Sequence, residues 1–266
     1  MREVVLRVPK LAVEDILDRL LPIVPGGVRE VPAGLHIDLL MRGPEVPSRD
    51  EIEPLCGRWP HVLSEREIPD DWRARRLADY RPDPIAGRLV VRPEWAPVTR
   101  DMIDIVLGES AAFGAGTHPT TRTCLEQLLE LEPAQRFADL GCGTGVLAIL
   151  AAKLGWASVM AVDVEPGSVA AAVANAALNG VALEGAVVDL MSQAPPPASA
   201  FAANVPPAVH VAVAERLADP VPTSGLLSGF ATSQADDVIR AYAARGLRER
   251  RQIETQGWAV VVIGRR

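Results

Sequence analysis

The sequence predicts an α/β protein: a doubly wound, mostly parallel sheet preceded by a small α+β domain. Three observations predict it. From residue 136 onward, strand and helix patterns alternate to the end of the chain. A glycine-rich turn, DLGCGTG (139–145), sits where the first strand of that run meets its first helix. Ahead of it, residues 1–66 read β-α-β-β-α-β, the pattern of a small domain of its own.

The small domain is expected to span 1–69. EVVLRV (3–8) alternates as a strand, and AVEDILDRLLPI (12–23) has helical spacing at Val13, Ile16, Leu17, Leu20 and Leu21. GGVREV and GLHIDLLM flank a Pro32-Ala33-Gly34 turn as a hairpin. SRDEIEPLC (48–56) begins as a capped helix that Pro54 cuts short, and HVLSEREI (61–68) alternates again. That order is the split β-α-β, ferredoxin-like arrangement. Residues 70–106, dominated by proline, arginine and tryptophan, read as a linker in which Trp72 and Trp95 pack, or as one wall of a site.

The second domain is expected to span 107–266. RFADLG precedes a helix at 144–154, SVMAVDV one at 166–178, AFAANV one at 207–218 and GLLSGF one at 233–244, with GAVVDL as a further strand. LRERRQIE and WAVVVIGR, joined by TQG, must run antiparallel. In sheets of this kind ligands lie beyond the carboxyl ends of the strands, where the strand order reverses.

Composition narrows the function. The 266 residues are 48% hydrophobic and 23% charged, within the ordinary globular range. A net charge of −7 disfavours a general grip on nucleic acid or anionic membrane. RGLRERR (245–251) is a local exception that suits an edge strand. The three cysteines and four histidines form no CxxC or HxxxH pair, so neither a disulfide framework nor a metal site is signalled. No apolar run nears the roughly 20 residues that cross a bilayer. MREVVLRVPK carries an acid and a proline where a signal peptide needs an apolar core, so the expected address is cytoplasmic.

The glycine turn carries the chemistry. Gly141 and Gly143 let the backbone approach a ligand closely. A GxGxxG turn would favour a pyrophosphate, but here Val146 stands at the third glycine position and Asp139 ends the strand. A carboxylate repels phosphate and suits an ammonium group. Asp163 ends the next strand, where a carboxylate accepts both hydroxyls of a ribose. Asp189 closes the third strand and suits an adenine amino group. Ammonium, ribose and adenine, in that order, describe S-adenosyl-L-methionine.

AFGAGTHPTT (112–121), DLGCGTG, AVDVEP, ANAALNG and GFATSQADDV together resemble the PrmA family, which methylates a large-subunit ribosomal protein, number eleven. The resemblance is strongest over 107–266. It implies a class I methyltransferase with a seven-stranded, mostly parallel sheet whose last strand is antiparallel. It also implies cofactor contacts at Thr121, Gly141, Asp163 and Asn204. Thr117 and His118 would line the loop over the methyl end, and Phe113 would cover the adenosine. His118 reads either as a general base or as a packed hydrogen-bond donor. Asn204, in FAANVPPAVH, either accepts a hydrogen bond from the target amine or forms an Asx turn before Pro206. The family usually has aliphatic residues where this chain has Val205-Pro206-Pro207, a sequence that leans toward the NPPY-type loop of methyltransferases acting on planar nitrogens.

The expectation is therefore an S-adenosyl-L-methionine-dependent N-methyltransferase acting on amino groups of a protein, foremost a ribosomal protein, with no membrane partner and nucleic acid disfavoured. The alternatives are a methyltransferase of another protein or a small amine, a nucleic-acid methyltransferase, and a non-catalytic cofactor-binding assembly or regulatory protein.

Overall fold

The computed structural model describes residues 2–24, 27–43, 45–67, 80–108 and 118–265. The chain divides into two compact units, Met1–Tyr80 and Arg81–Arg266. In the first, β1 (Arg2–Pro9), β2 (Arg29–Ala33), β3 (His36–Gly43) and β4 (Val62–Glu67) form an antiparallel sheet in the order β2-β3-β1-β4. Helix α1 (Val13–Leu20) buries Val13, Ile16 and Leu20 in one cluster with Val4, Leu6 and Val8 of β1 and Leu39 and Met41 of β3. It is shorter than its periodicity suggests, because Leu21–Ile23 tightens into a 3-10 turn at Pro22, which has no N–H to continue the helix. Pro54 acts as expected: α2 (Arg49–Ile52) starts with a Ser48–Glu51 capping box and passes into a 3-10 turn, Glu53–Cys56.

The linker expected at 70–106 is corrected in part. Residues from Arg81 onward cluster with the second unit. They carry β5 (Leu89–Pro93) and β6 (Ile103–Leu107), a parallel two-stranded sheet. Arg92 holds the connection between them: its Nε donates to Asp104 Oδ1 at 2.8 Å and its Nη1 to the Ala96 carbonyl at 2.8 Å. Trp72 lies outside the described residues.

The rest of the second unit is α3 (Pro119–Leu128), β7 (Arg136–Leu140), α4 (Val146–Leu154), β8 (Ser158–Asp163), α5 (Pro166–Leu178), β9 (Glu184–Val187) and β10 (Ala200–Asn204), followed by α6 (Pro207–Arg216), β11 (Ser224–Ala231), α7 (Ala235–Ala243), β12 (Arg248–Thr255) and β13 (Trp258–Gly264). The seven strands from β7 to β13 lie in the order β12-β13-β11-β10-β7-β8-β9, and only β13 opposes the others. Strand residues alternate between two cores. Phe137, Ala200 and Ala202 join Leu125, Val146 and Ala172 on the face of α3, α4 and α5. Ala138, Phe201 and Ala203 join Val213, Val238 and Tyr242 on the face of α6 and α7. β12 is an edge strand with exposed arginines, as RGLRERR implies. Several boundaries shift by one to three residues: α4 starts at Val146, α7 spans Ala235–Ala243, α6 stops at Arg216, and β9 stops at Val187, which leaves Asp189 in the following turn. Among the described residues no helix is long and apolar enough to cross a membrane.

Candidate functional site

The strand order reverses beside β7. The chain runs outward through β8 and β9, then returns past β7 to lay down β10 and β11. At that switch point a cleft of about 340 Å³ opens beyond the strand ends, lined by Gly141, Gly143, Asp163, Asp189 and Asn204 with Val188, Leu190, Val205, Pro206 and Val209. A smaller cavity of about 20 Å³ is lined by Thr121, Asp139, Gly141, Cys142 and Asn204. Gly141 and Asn204 border both.

Asp163, the last residue of β8, is fixed by two backbone donors: Gly143 N–H to Oδ2 at 3.0 Å and Glu165 N–H to Oδ1 at 3.0 Å. Each oxygen keeps a second lone pair for a ligand hydroxyl. Asp189 accepts from the Ser192 hydroxyl at 2.7 Å and from Met191 N–H at 2.9 Å, and those bonds hold its carboxyl below the usual range. Asp139 lines the small cavity and not the main cleft. It is 1% exposed, and its Oδ2 accepts Ala148 N–H at 3.0 Å. Burial pushes its pKa up to about 7; the Ala148 N–H opposes that shift and the Asp163 charge adds to it. Nearby in the small cavity, the buried Thr121 Oγ1 has no partner among the described residues. A buried carboxyl without a countercharge, sharing a cavity with an unpartnered hydroxyl, fits the amino group of an amino-acid ligand. Cys142 is buried beneath the turn, its thiol pushed far up by burial, and is chemically inert there.

His118 caps α3. Its Nδ1 accepts Thr120 N–H at 3.3 Å and lies 2.7 Å from Thr120 Oγ1, while its ring stands edge-on to Trp258 at 5.6 Å between centroids. Nδ1 therefore accepts, which leaves the ring proton on Nε2, and His118 is not among the residues that line the cleft. Asn204 Nδ2 donates to the same Thr120 Oγ1 at 3.3 Å. Thr117 and Phe113 lie outside the described residues.

The loop after Asn204 is held from beneath. The Ser228 carbonyl on β11 accepts Val205 N–H at 3.0 Å and His210 Nε2 at 2.8 Å. His210 Nδ1 meets the Tyr242 hydroxyl at 3.2 Å. A carbonyl only accepts, so His210 carries its proton on Nε2; full burial lowers its pKa to about 4 and keeps it neutral. Two glycines clasp Val205. A Cβ at Gly141 would come within 2.3 Å of Val205 Cγ1, and one at Gly229 within 2.5 Å of the Val205 carbonyl oxygen. On the other side, Asn175 ties Gly108 N–H to the Thr144 carbonyl, and Asn179 bonds both backbone groups of Val106. The sequence motifs contain Thr120, His210, Ser228, Asn175, Asn179 and Gly229, but nothing in their spacing gave any of the six a role.

A doubly wound sheet with one reversed strand, opening at its switch point between strand-end acids and an asparagine, defines the methyltransferase-like α/β class. A family model described as ribosomal protein L11 methyltransferase (PrmA) matches residues 57–266, and the chain belongs to that family. The ribosomal protein L11 methyltransferase of Bordetella parapertussis is 40% identical over 201 residues, 69% of this chain and 64% of that protein. This chain therefore spans slightly less than two thirds of that relative's length. The corresponding protein of Heliobacterium modesticaldum is 33% identical over 266 residues, covering 94% of this chain and 83% of that one. A crystal structure of ribosomal protein L11 methylase from Lactobacillus delbrueckii subsp. bulgaricus matches with a TM-score of 0.60 and 27% identity, over 70% of this chain and all of that one.

Proposed function

We propose that this chain is an S-adenosyl-L-methionine-dependent N-methyltransferase acting on amino groups of a protein, with ribosomal protein L11, for which its relatives are named, as the substrate. One observation carries this reading: Asp163 of β8 and Asn204 of β10 line one cleft on either side of the glycine turn, with Asp139 and Thr121 in the small cavity that adjoins it. Asp163 would take the ribose hydroxyls, Asp189 the adenine amino group, and Asp139 with Thr121 the amino group of the cofactor, whose sulfonium supplies an electrophilic methyl when bound. Gly141 and Gly143 give the ligand close backbone. By family resemblance Thr117 and Phe113 complete the cover.

Asn204 aligns the target amine, and stiff Pro206 and Pro207 hold the loop, so the chain's contribution is positioning. The amine must be neutral to attack. For lysine at pH 7, an ordinary pKa of ~10.4 sets a deprotonation cost of roughly 4.6 kcal/mol. Val205, Pro206 and Val209 make one wall of the cleft apolar, which disfavours the ammonium form and lowers that cost. The first unit is read as a ferredoxin-like recognition module for the protein substrate, and the address as cytoplasmic.

The test is methyl transfer from labelled cofactor to purified ribosomal protein L11 and to a whole-cell lysate. Label is expected in L11. Label in another protein, in small amines or in RNA, the outcome toward which Val205-Pro206-Pro207 leans, would replace the substrate. No transfer in any fraction would overturn the enzyme reading.

A further inference from the structure

We propose that Thr120 is a positioning residue that dictates which end of the Asn204 amide faces the reacting amine. The inference rests on the reading of Asn204 above and follows from donor–acceptor logic alone. His118 Nδ1 accepts the Thr120 backbone N–H, a group that can only donate, so Nδ1 bears a lone pair and no proton. The Thr120 hydroxyl, 2.7 Å from the same nitrogen, must then give it its single proton. That leaves Thr120 Oγ1 with lone pairs only. Asn204, 3.3 Å away, can satisfy them only with its NH₂ group. A flipped amide would set two acceptors against each other at a threonine that is 1% exposed, where no water relieves the mismatch.

The Asn204 carbonyl oxygen is therefore the end left to the cleft that Asn204 lines. Among the described residues no protein donor occupies it. An amide oxygen accepts an N–H of the target amine and turns the nitrogen lone pair toward the methyl carbon. An NH₂ in its place would donate to that lone pair and block attack. The polarity of the site is thus written two residues past the helix cap, and His118 acts through Thr120 rather than on the substrate.

The test compares Thr120→Val, Thr120→Ser and Asn204→Ala, alone and combined, in the full chain at saturating cofactor with L11 as acceptor. Thr120→Val is expected to lower kcat about tenfold or more, with cofactor Kd and acceptor KM within about twofold of wild type. Thr120→Ser should restore the rate, and adding Thr120→Val to Asn204→Ala should slow it no further. A wild-type rate in Asn204→Ala sinks the Asn204 reading. A slow Asn204→Ala beside an unaffected Thr120→Val, or additive losses, sinks the Thr120 proposal alone. A readout independent of turnover is solvent exchange of the ¹⁵N-labelled Asn204 side-chain amide. It should be slower in wild type than in Thr120→Val, or in Thr120→Ala should the valine variant not fold. Equal exchange rates would overturn the proposal whatever the acceptor.

Discussion

Asp139 should make both stability and cofactor binding depend on pH. The folded protein holds its proton up to about pH 7, whereas the unfolded chain releases it near pH 3.8. Between those values unfolding releases a proton, so stability contributed by this group falls as pH rises, by about 1.4 kcal/mol per unit, and levels off above about pH 7. The window of roughly three units amounts to about 4 kcal/mol. A ligand ammonium entering the small cavity supplies the missing countercharge, lowers the pKa of the bound state, and expels the proton. Calorimetry at pH 6 in two buffers of different ionisation enthalpy should therefore report close to one proton released per cofactor bound. Asp139→Asn keeps an acceptor for Ala148 N–H and has no charge to titrate. It should unfold in denaturant without the wild type's decline between pH 4 and 7, bind without proton release, and bind at least tenfold more weakly at pH 8. Identical pH slopes in the two proteins, with no proton released by wild type, would refute the reasoning.

Asp163→Ala should weaken cofactor binding by about 1.5–3 kcal/mol, since hydrogen bonds to a charged acceptor are lost, and calorimetry reads it directly. Gly229→Ala places a Cβ 2.5 Å from the Val205 carbonyl oxygen at a φ of +92°, so denaturant unfolding should show a loss of about 2–5 kcal/mol; a loss under about 1 would mean the loop yields. Asn204→Ala should cut turnover by about two powers of ten while cofactor affinity falls far less. Near-wild-type rates in Asn204→Asp and Asn204→Ser would reduce the residue to an Asx turn. A fragment of residues 81–266 should bind cofactor yet lose most activity on folded L11; full activity there would remove the recognition role from the first unit.

The order of strands and helices from β7 to β13 was readable because the central strands β7 and β10 are buried on both faces and bounded by turn residues, as RFADLG and AFAANV show. Asp139, Asp163 and Asp189 stand out in the sequence as a set, because three acids close consecutive strand patterns behind one glycine turn. β5 and β6 were not. Their parallel pairing is closed by a short proline-marked connection that depends on Arg92 reaching Asp104, a contact no periodicity announces. The place of Asp139 in the small cavity comes from the fold alone, because position in sequence does not say which side of the turn its side chain takes. Thr120 escaped because its meaning comes from Asn204, 84 residues away. His210 is one of four histidines without a partner in sequence, and only the fold brings Ser228 and Tyr242 to it.

The clasp on Val205 bears on how the acceptor choice of the proposed methyltransferase could be redirected. The acids that would hold the ribose and the adenine come from the β7–β9 half of the sheet, and the asparagine that would face the acceptor comes from the other half. Acceptor preference therefore looks like a separable module, to be exchanged by grafting a new β10–α6 loop. The two glycines set the terms of such a graft. At position 205 the backbone has glycine on one side and the side chain has glycine on the other, so a donor loop bulkier than valine there would push Gly141 and Gly229 apart and disturb both halves at once. Libraries aimed at new acceptors should hold 205 at valine or smaller and diversify from Pro206 outward.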